Sequence, residues 1–306
     1  MIIKKINKRG MFMTIIALVL ITLFIVSFTF YNDLQQRKST IKRVESMNNF
    51  LFSTEKDLER QVYIAAYRSI FIVEDNITQS GLYFQNFNPI MQELFFNSSM
   101  RNVQQFIMQD ANYSSIQKHI SDRASAINVN ISLSNPTYEI TQDGPWNVKA
   151  TLKVTLNMTD YGNVATWNKN LTVISYIPVT NFEDPLYILN NFPKKIQKTP
   201  FVNFVTGSDV TNLSIHATNF YYAASTLAPS FLGRLQGNMS ASIYGIESFV
   251  NFPALGITSP PQKTTIDYLF FSSQDPQPTC TIAGMPSWFR MDNAHRSIYN
   301  ATSICV

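Results

Sequence analysis

Apolar and polar positions follow three regimes along the chain. Residues 11–31, MFMTIIALVLITLFIVSFTFY, are an apolar run of 21 without one charge. As a helix rising about 1.5 Å per residue, such a run spans roughly 30 Å, the thickness of a hydrocarbon core, and satisfies its own backbone groups there. Beyond it there is no Pro or Gly until Gly81, and apolar residues recur at Val44, Met47, Leu51, Leu58, Val62, Ala65, Ala66, Ile70 and Val73. That spacing is helical, so the span is expected to continue into a long amphipathic helix.

Asn88-Pro89 predicts a further helix start, with Ile90, Leu94 and Phe95 on its apolar stripe. Helices are expected over 99–108 and from Ser114 or Ser115. The period then changes to two. Ile127, Val129, Ile131 and Leu133 alternate with Asn128, Asn130 and Ser132. Residues 148–159 place Val148, Ala150, Leu152, Val154, Leu156 and Met158 opposite Lys149, Thr151, Lys153, Thr155, Asn157 and Thr159. Trp167, Lys169, Leu171 and Val173 oppose Asn168, Asn170 and Thr172. Three such runs, separated by turns at Gly144-Pro145 and Tyr161-Gly162-Asn163, predict an antiparallel sheet with one face on helices and one in water.

Past Asp184-Pro185 the pattern is shorter-ranged. The Lys-rich stretch 193–200 reads as a linker or a long loop, and helices are expected over 209–227, 230–236 and 246–250. Residues 253–261 read as irregular, 264–271 and 279–282 as strands, and 288–299 as the last ordered stretch. The fold class is therefore α+β: a single-pass N-terminal helix, a long amphipathic helix, an antiparallel sheet packed on helices, and a C-terminal α+β portion. The expected divisions are a basic leader at 1–10, the span at 11–31, a stalk and sheet domain at 32–190 and a second portion at 191–306.

Charge decides the orientation expected. Lys4, Lys5, Lys8 and Arg9 precede the span without an acidic residue, which keeps the leader cytoplasmic and the bulk of the chain extracytoplasmic. Arg37, Lys38, Lys42 and Arg43 follow the span and weaken that asymmetry; they read as a solvated helix face or as partners of outer headgroups. The leader resembles a type IV prepilin signal of the archaeal kind, on Lys8-Arg9-Gly10 followed by Met11-Phe12-Met13-Thr14-Ile15. The resemblance covers the first 30 residues. It implies cleavage between Gly10 and Met11 on the cytoplasmic side and association with other pilin-like subunits. Ile15 stands where bacterial pilins usually carry Glu, and Met11 where many archaeal ones carry Gln. The other reading is an uncleaved signal anchor, since SFTFYND after the span offers no secretory cleavage site.

Nine Asn-x-Ser/Thr triplets lie beyond the span, at Asn76, Asn97, Asn112, Asn130, Asn157, Asn170, Asn212, Asn238 and Asn300. They are candidate glycosylation sites of a chain exposed outside the cell. Cys280 and Cys305 are the only cysteines, and in an oxidising compartment they are expected to pair, closing a loop of about 25 residues worth roughly 3 kcal/mol. With 45% apolar and 14% charged residues and a net charge of +4, the chain can bury a sizeable core but carries no basic concentration that argues for nucleic acid.

Candidate chemistry is thin. The three histidines, His119, His216 and His295, belong to no metal-binding motif, there is no nucleophile elbow or phosphate loop, and no cofactor is implied. The one catalytic candidate is Asp292 and His295 with Cys280 or Cys305. The sequence therefore points to a membrane-anchored surface protein without catalytic activity, a pilin-like structural or adhesive subunit whose partners are the lipid bilayer and other subunits or an envelope component. The alternative is a membrane-tethered hydrolase using Asp292 and His295.

Overall fold

One helix, α1 (Lys8–Ser80), runs 73 residues, about 110 Å at helical rise, before Gly81 takes a positive φ and its N–H closes the last turn on Ile77. The computed structural model describes residues 8–258, 261–272 and 274–306. Most of the basic leader lies outside those residues, while Gly10 and Met11 fall within α1. The expected merger of the apolar span with the amphipathic helix is what the structure contains. Every side chain from 12 to 42 is exposed, and the core face begins at Met47 and continues through Leu51, Leu58, Val62, Ala65, Ala66, Ile70, Val73 and Ile77.

After α1 come α2 (Phe87–Asn97), a tight hairpin of β1 (Ser99–Met100) and β2 (Val103–Gln104), and α3 (Tyr113–Ser125). The helix expected over 99–108 is thus a hairpin followed by a 3-10 turn at Phe106–Met108. The reason lies in Arg101 and Asn102, both at positive φ, the backbone that a two-residue hairpin turn requires. Glu93 holds that turn through its carboxylate, which accepts from the N–H groups of Arg101 and Asn102 and from Ser99 Oγ.

The central sheet is β3 (Val129–Gln142), β4 (Asn147–Asp160) and β5 (Thr166–Pro178), antiparallel in that order. Its burial alternates as the sequence predicted: Val129, Ile131, Leu156, Met158, Leu171 and Val173 are buried against the helices, and Asn130, Asn157 and Asn170 lie on the opposite, wet face. β3 runs nine residues past its expected end at Leu133. It passes Asn135-Pro136 by a register shift between Ser134 and Thr137, a bulge that an edge strand tolerates where Pro has no N–H to give. α1 packs beneath β5 and α3 beneath β3.

The C-terminal portion consists of short elements: α4 (Pro185–Ile188), α5 (Thr211–Thr218), β6 (Ala223–Ala224), α6 (Phe231–Leu235), β7 (Ile246–Glu247), α7 (Asp267–Phe271), β8 (Thr279–Thr281), β9 (Arg290–Asp292) and α8 (Asn293–Ile298). Three expectations change here. The helix over 209–227 ends at Thr218, because Phe220 turns to positive φ and the chain then pairs Ala223–Ala224 with Ile246–Glu247. That pairing makes the expected helix over 246–250 begin as a strand. The expected strand over 264–271 is extended only as far as Ile266, which bridges Phe249, and is helical from Asp267.

The stretch 193–200 is the long loop of the two readings rather than a free linker, and it is packed onto the fold. Ile196 is fully buried, Lys195 bridges Glu183, and Lys198 bridges Tyr222. The core that α1, α2, α3 and the sheet share extends to Phe220, Tyr222, Phe231, Leu235, Ile246 and Phe252 beyond it. A second cluster, around Leu213, Phe249, Ile266, Phe289, Met291 and Tyr299, fills the C-terminal portion. Cys280 and Cys305 are joined as a disulfide, tying β8 to the chain end.

Candidate functional site

The exposed part of α1 is the first candidate. From 12 to 31 it presents apolar side chains to its surroundings on all sides and carries no charge. Thr22 and Thr29 turn their hydroxyls back on the helix, donating to the carbonyls of Val19 and Val26 at 2.8 Å each. α1 is thus long and apolar enough to cross a membrane. Just above it, Arg37 pairs with Asp33.

Arg43, which sequence grouped with the juxtamembrane cations, is committed to the fold instead. It donates to Asp160 Oδ1 at 2.5 Å and to the Asn128 carbonyl at 2.8 Å. Asp160 ends β4 and also accepts from Gly162 and Val164 N–H, so the Arg43 guanidinium and these amides hold its carboxyl below the usual range.

Asp292 and His295 meet, as three-residue spacing at a helix start implies, but in a closed setting. Asp292 is the N-cap of α8 and accepts from Ala294 and His295 N–H. His295 Nδ1 lies 2.7 Å from Asp292 Oδ2, and its Nε2 lies 3.2 Å from Glu247 Oε2 and 3.3 Å from the Tyr268 hydroxyl. Tyr299 donates to the other Glu247 oxygen at 3.0 Å and Thr264 to Asp292 at 3.2 Å. Burial alone would lower the His295 pKa; the carboxylates of Asp292 and Glu247 outweigh it and lift it to about 9. The imidazole is 2% exposed and both nitrogens face carboxylates, so neither is free to take a proton from a substrate. Cys280 and Cys305 are bonded to each other and are not thiols.

Sequence reasoning missed a second buried cluster. Arg234 on α6 is fully buried between two carboxylates, with Nη1 2.5 Å from Asp184 Oδ2 and 2.8 Å from Asp267 Oδ2, while Nη2 donates to the Ile246 carbonyl. Tyr222 donates to Asp184 at 2.8 Å, and Ser248, itself bonded to Tyr187, donates to Asp267 at 2.9 Å. Burial opposes the Arg234 charge, but Asp184 and Asp267 raise its pKa above the ordinary arginine value. The signal available was a single Arg within the apolar FLGRL and an Asp before Pro185, which caps α4. His216 is buried among Phe204, Phe249 and Tyr299 without a hydrogen-bond partner among the described residues, and burial pushes it down to about 3.

The nine triplets separate by environment. Asn97, Asn130, Asn170, Asn238 and Asn300 are exposed, and Asn76, Asn112, Asn157 and Asn212 are half-buried. Asn112 is the N-cap of α3: its Oδ1 accepts from Ser115 N–H, and its Nδ2 donates to Ser98 Oγ and the Gln109 carbonyl. Asn212 Nδ2 donates to the Asn203 carbonyl.

No family model, curated protein or solved structure matches this chain.

Proposed function

We propose that this is a single-pass membrane protein with its folded portion outside the cell, serving as a pilin-like structural or adhesive subunit rather than as an enzyme. The observation that carries the reading is the continuity of α1. One helix is an exposed apolar rod at its N-terminal end and the packing spine of an α+β head at the other. A rod of that composition calls for lipid or for other rods around it, and its rigid joining to the head suits a protein that transmits position or load from a membrane. The leader Lys8-Arg9-Gly10, the sequons and the disulfide support the outward placement. The burial of His295 between Asp292 and Glu247 supports a structural role for that pair.

Mass spectrometry of protein isolated from native membranes, combined with protease treatment of intact cells, tests the proposal. The expected result is a mature chain beginning at Met11 and a head digested from outside. A chain beginning at Met1 would remove the pilin-like processing and leave a plain anchor. A head protected in intact cells would remove the outward placement.

A further inference from the structure

The wet face of the sheet carries three of the sequons in one geometric figure. Asn130 pairs with Thr159, Asn157 lies two residues back along β4, and Asn170 pairs with Thr155 two residues further back. The three therefore form a diagonal row, one on each strand, with successive members about 7–8 Å apart as diagonal strand neighbours are. Residues i and i+2 of a strand share a face, so each Asn stands on the same surface as its own hydroxyl residue: Ser132, Thr159 and Thr172. Among the described residues the amide nitrogens of the three have no hydrogen-bond partner, and Asn170 Oδ1 accepts from Thr155 Oγ1 at 2.9 Å.

At four of the other six triplets the fold has engaged the Asn amide or its hydroxyl partner. On α1, Thr78, the hydroxyl partner of Asn76, is bonded back to the Glu74 carbonyl, and Ser99, the partner of Asn97, is held by Glu93. Asn112 and Asn212 have spent their amide nitrogens on Ser98, Gln109 and Asn203.

From this we infer that Asn130, Asn157 and Asn170 are a modification patch carrying N-linked oligosaccharides, and that Asn112 and Asn212 stay bare. The inference rests on the outward placement proposed above. The transfer requires a lipid-linked oligosaccharide as donor. The Asn Nδ2 attacks the anomeric carbon, the C–N bond forms as the C–O bond to the lipid phosphate breaks, the lipid phosphate leaves, and one amide proton passes to a base of the transferring enzyme. The right-handed twist of the sheet fans the three attachment points apart, and the sugar on Asn170 stands on β5, whose outer edge pairs with no strand among the described residues.

Glycopeptide mass spectrometry of the full chain from native membranes tests this, with Asn168 as an internal control, since it lies on the same face opposite Asn157 but in no sequon. Oligosaccharide mass is expected on the peptides of Asn130, Asn157 and Asn170, with none on Asn112, Asn212 or Asn168. Asn130→Gln, Asn157→Gln and Asn170→Gln should each remove one step of gel mobility without loss of folded protein. Sugar on Asn112 or Asn212, or a bare row on a head that protease reaches from outside, would overturn the patch. A bare row on a protease-protected head would overturn the outward placement with it.

Discussion

Arg43 and Asp160 stand 117 residues apart in sequence and 2.5 Å apart in space, joining α1 to the turn between β4 and β5. This contact is where the exposed rod becomes the spine of the head, because every side chain from 12 to 42 is exposed and Met47 begins the core. Arg43→Ala is expected to loosen the 160–166 turn and the first packed helical turn together, read as faster amide exchange there with the rest of the sheet unchanged. The Asp160 carboxyl is held below its usual range, so its share of stability is present above the ordinary carboxylate pKa and is lost as pH falls through the lower folded value. Exchange at the turn should accordingly quicken in acid in the parent protein and show no such added acid response in Arg43→Ala.

Neighbouring positions on β4 should respond oppositely to substitution. Leu156 is fully buried and Asn157 faces water. Leu156→Asn places an unpaired amide in the core and empties part of a Leu site, for an expected loss of about 3–5 kcal/mol in denaturant unfolding. Asn157→Gln should stay within about 0.5 kcal/mol of the parent.

That contrast was legible in the sequence because fourteen-residue strands repeat their signal many times over, as the alternation from Val148 to Asp160 does. The α1 face was legible for the same reason. The hairpin at Arg101-Asn102 was not, because φ at two residues decided it: Asn102 is of a type that favours left-handed backbone, but Arg101 is not, and no Gly marks the turn. Elements of two to six residues, such as Ile246–Glu247 and Asp267–Phe271, are too short to show a period. The Asp292–His295 contact followed from spacing, but its closure by Glu247 and Tyr268 depended on residues 48 and 27 positions away from His295. Arg234 likewise found its carboxylates 50 and 33 positions away, beyond the reach of any local pattern.

Two buried groups should make the protein less stable toward alkaline pH. Burial pushes Glu74 on α1 up to about 9, and Asp292 with Glu247 lifts His295 to about 9. Each has a folded pKa above its unfolded one, so each contribution is full below the unfolded value, near 4.5 for Glu74 and 6.5 for His295, and is lost as pH rises through 9. The Glu74 effect alone is of the order of 3 kcal/mol between pH 4.5 and 7. The melting temperature should therefore fall from pH 5 to pH 9. Glu74→Gln should flatten most of the fall below pH 7, and a Glu74→Gln profile that still parallels the parent would assign the dependence elsewhere.

The Arg234 cluster calls for paired substitutions. Removing the guanidinium leaves Asp184 and Asp267 facing one another in the core without a counter-charge, and a lost partner in a buried ion pair costs about 3–5 kcal/mol. Arg234→Met should therefore destabilise strongly, and the loss should fall on the junction between the sheet and the C-terminal portion, since Asp184 caps α4 while Asp267 begins α7. Adding Asp267→Asn to Arg234→Met removes one of the two orphaned charges. If charge imbalance dominates, the double variant should be more stable than Arg234→Met alone, although it has lost one more native group. If packing of the guanidinium against Tyr222 and the Ile246 carbonyl dominates instead, the second substitution should only add to the loss. Denaturant unfolding of the parent, both single variants and the double variant gives the coupling energy directly, and its sign decides between the two accounts.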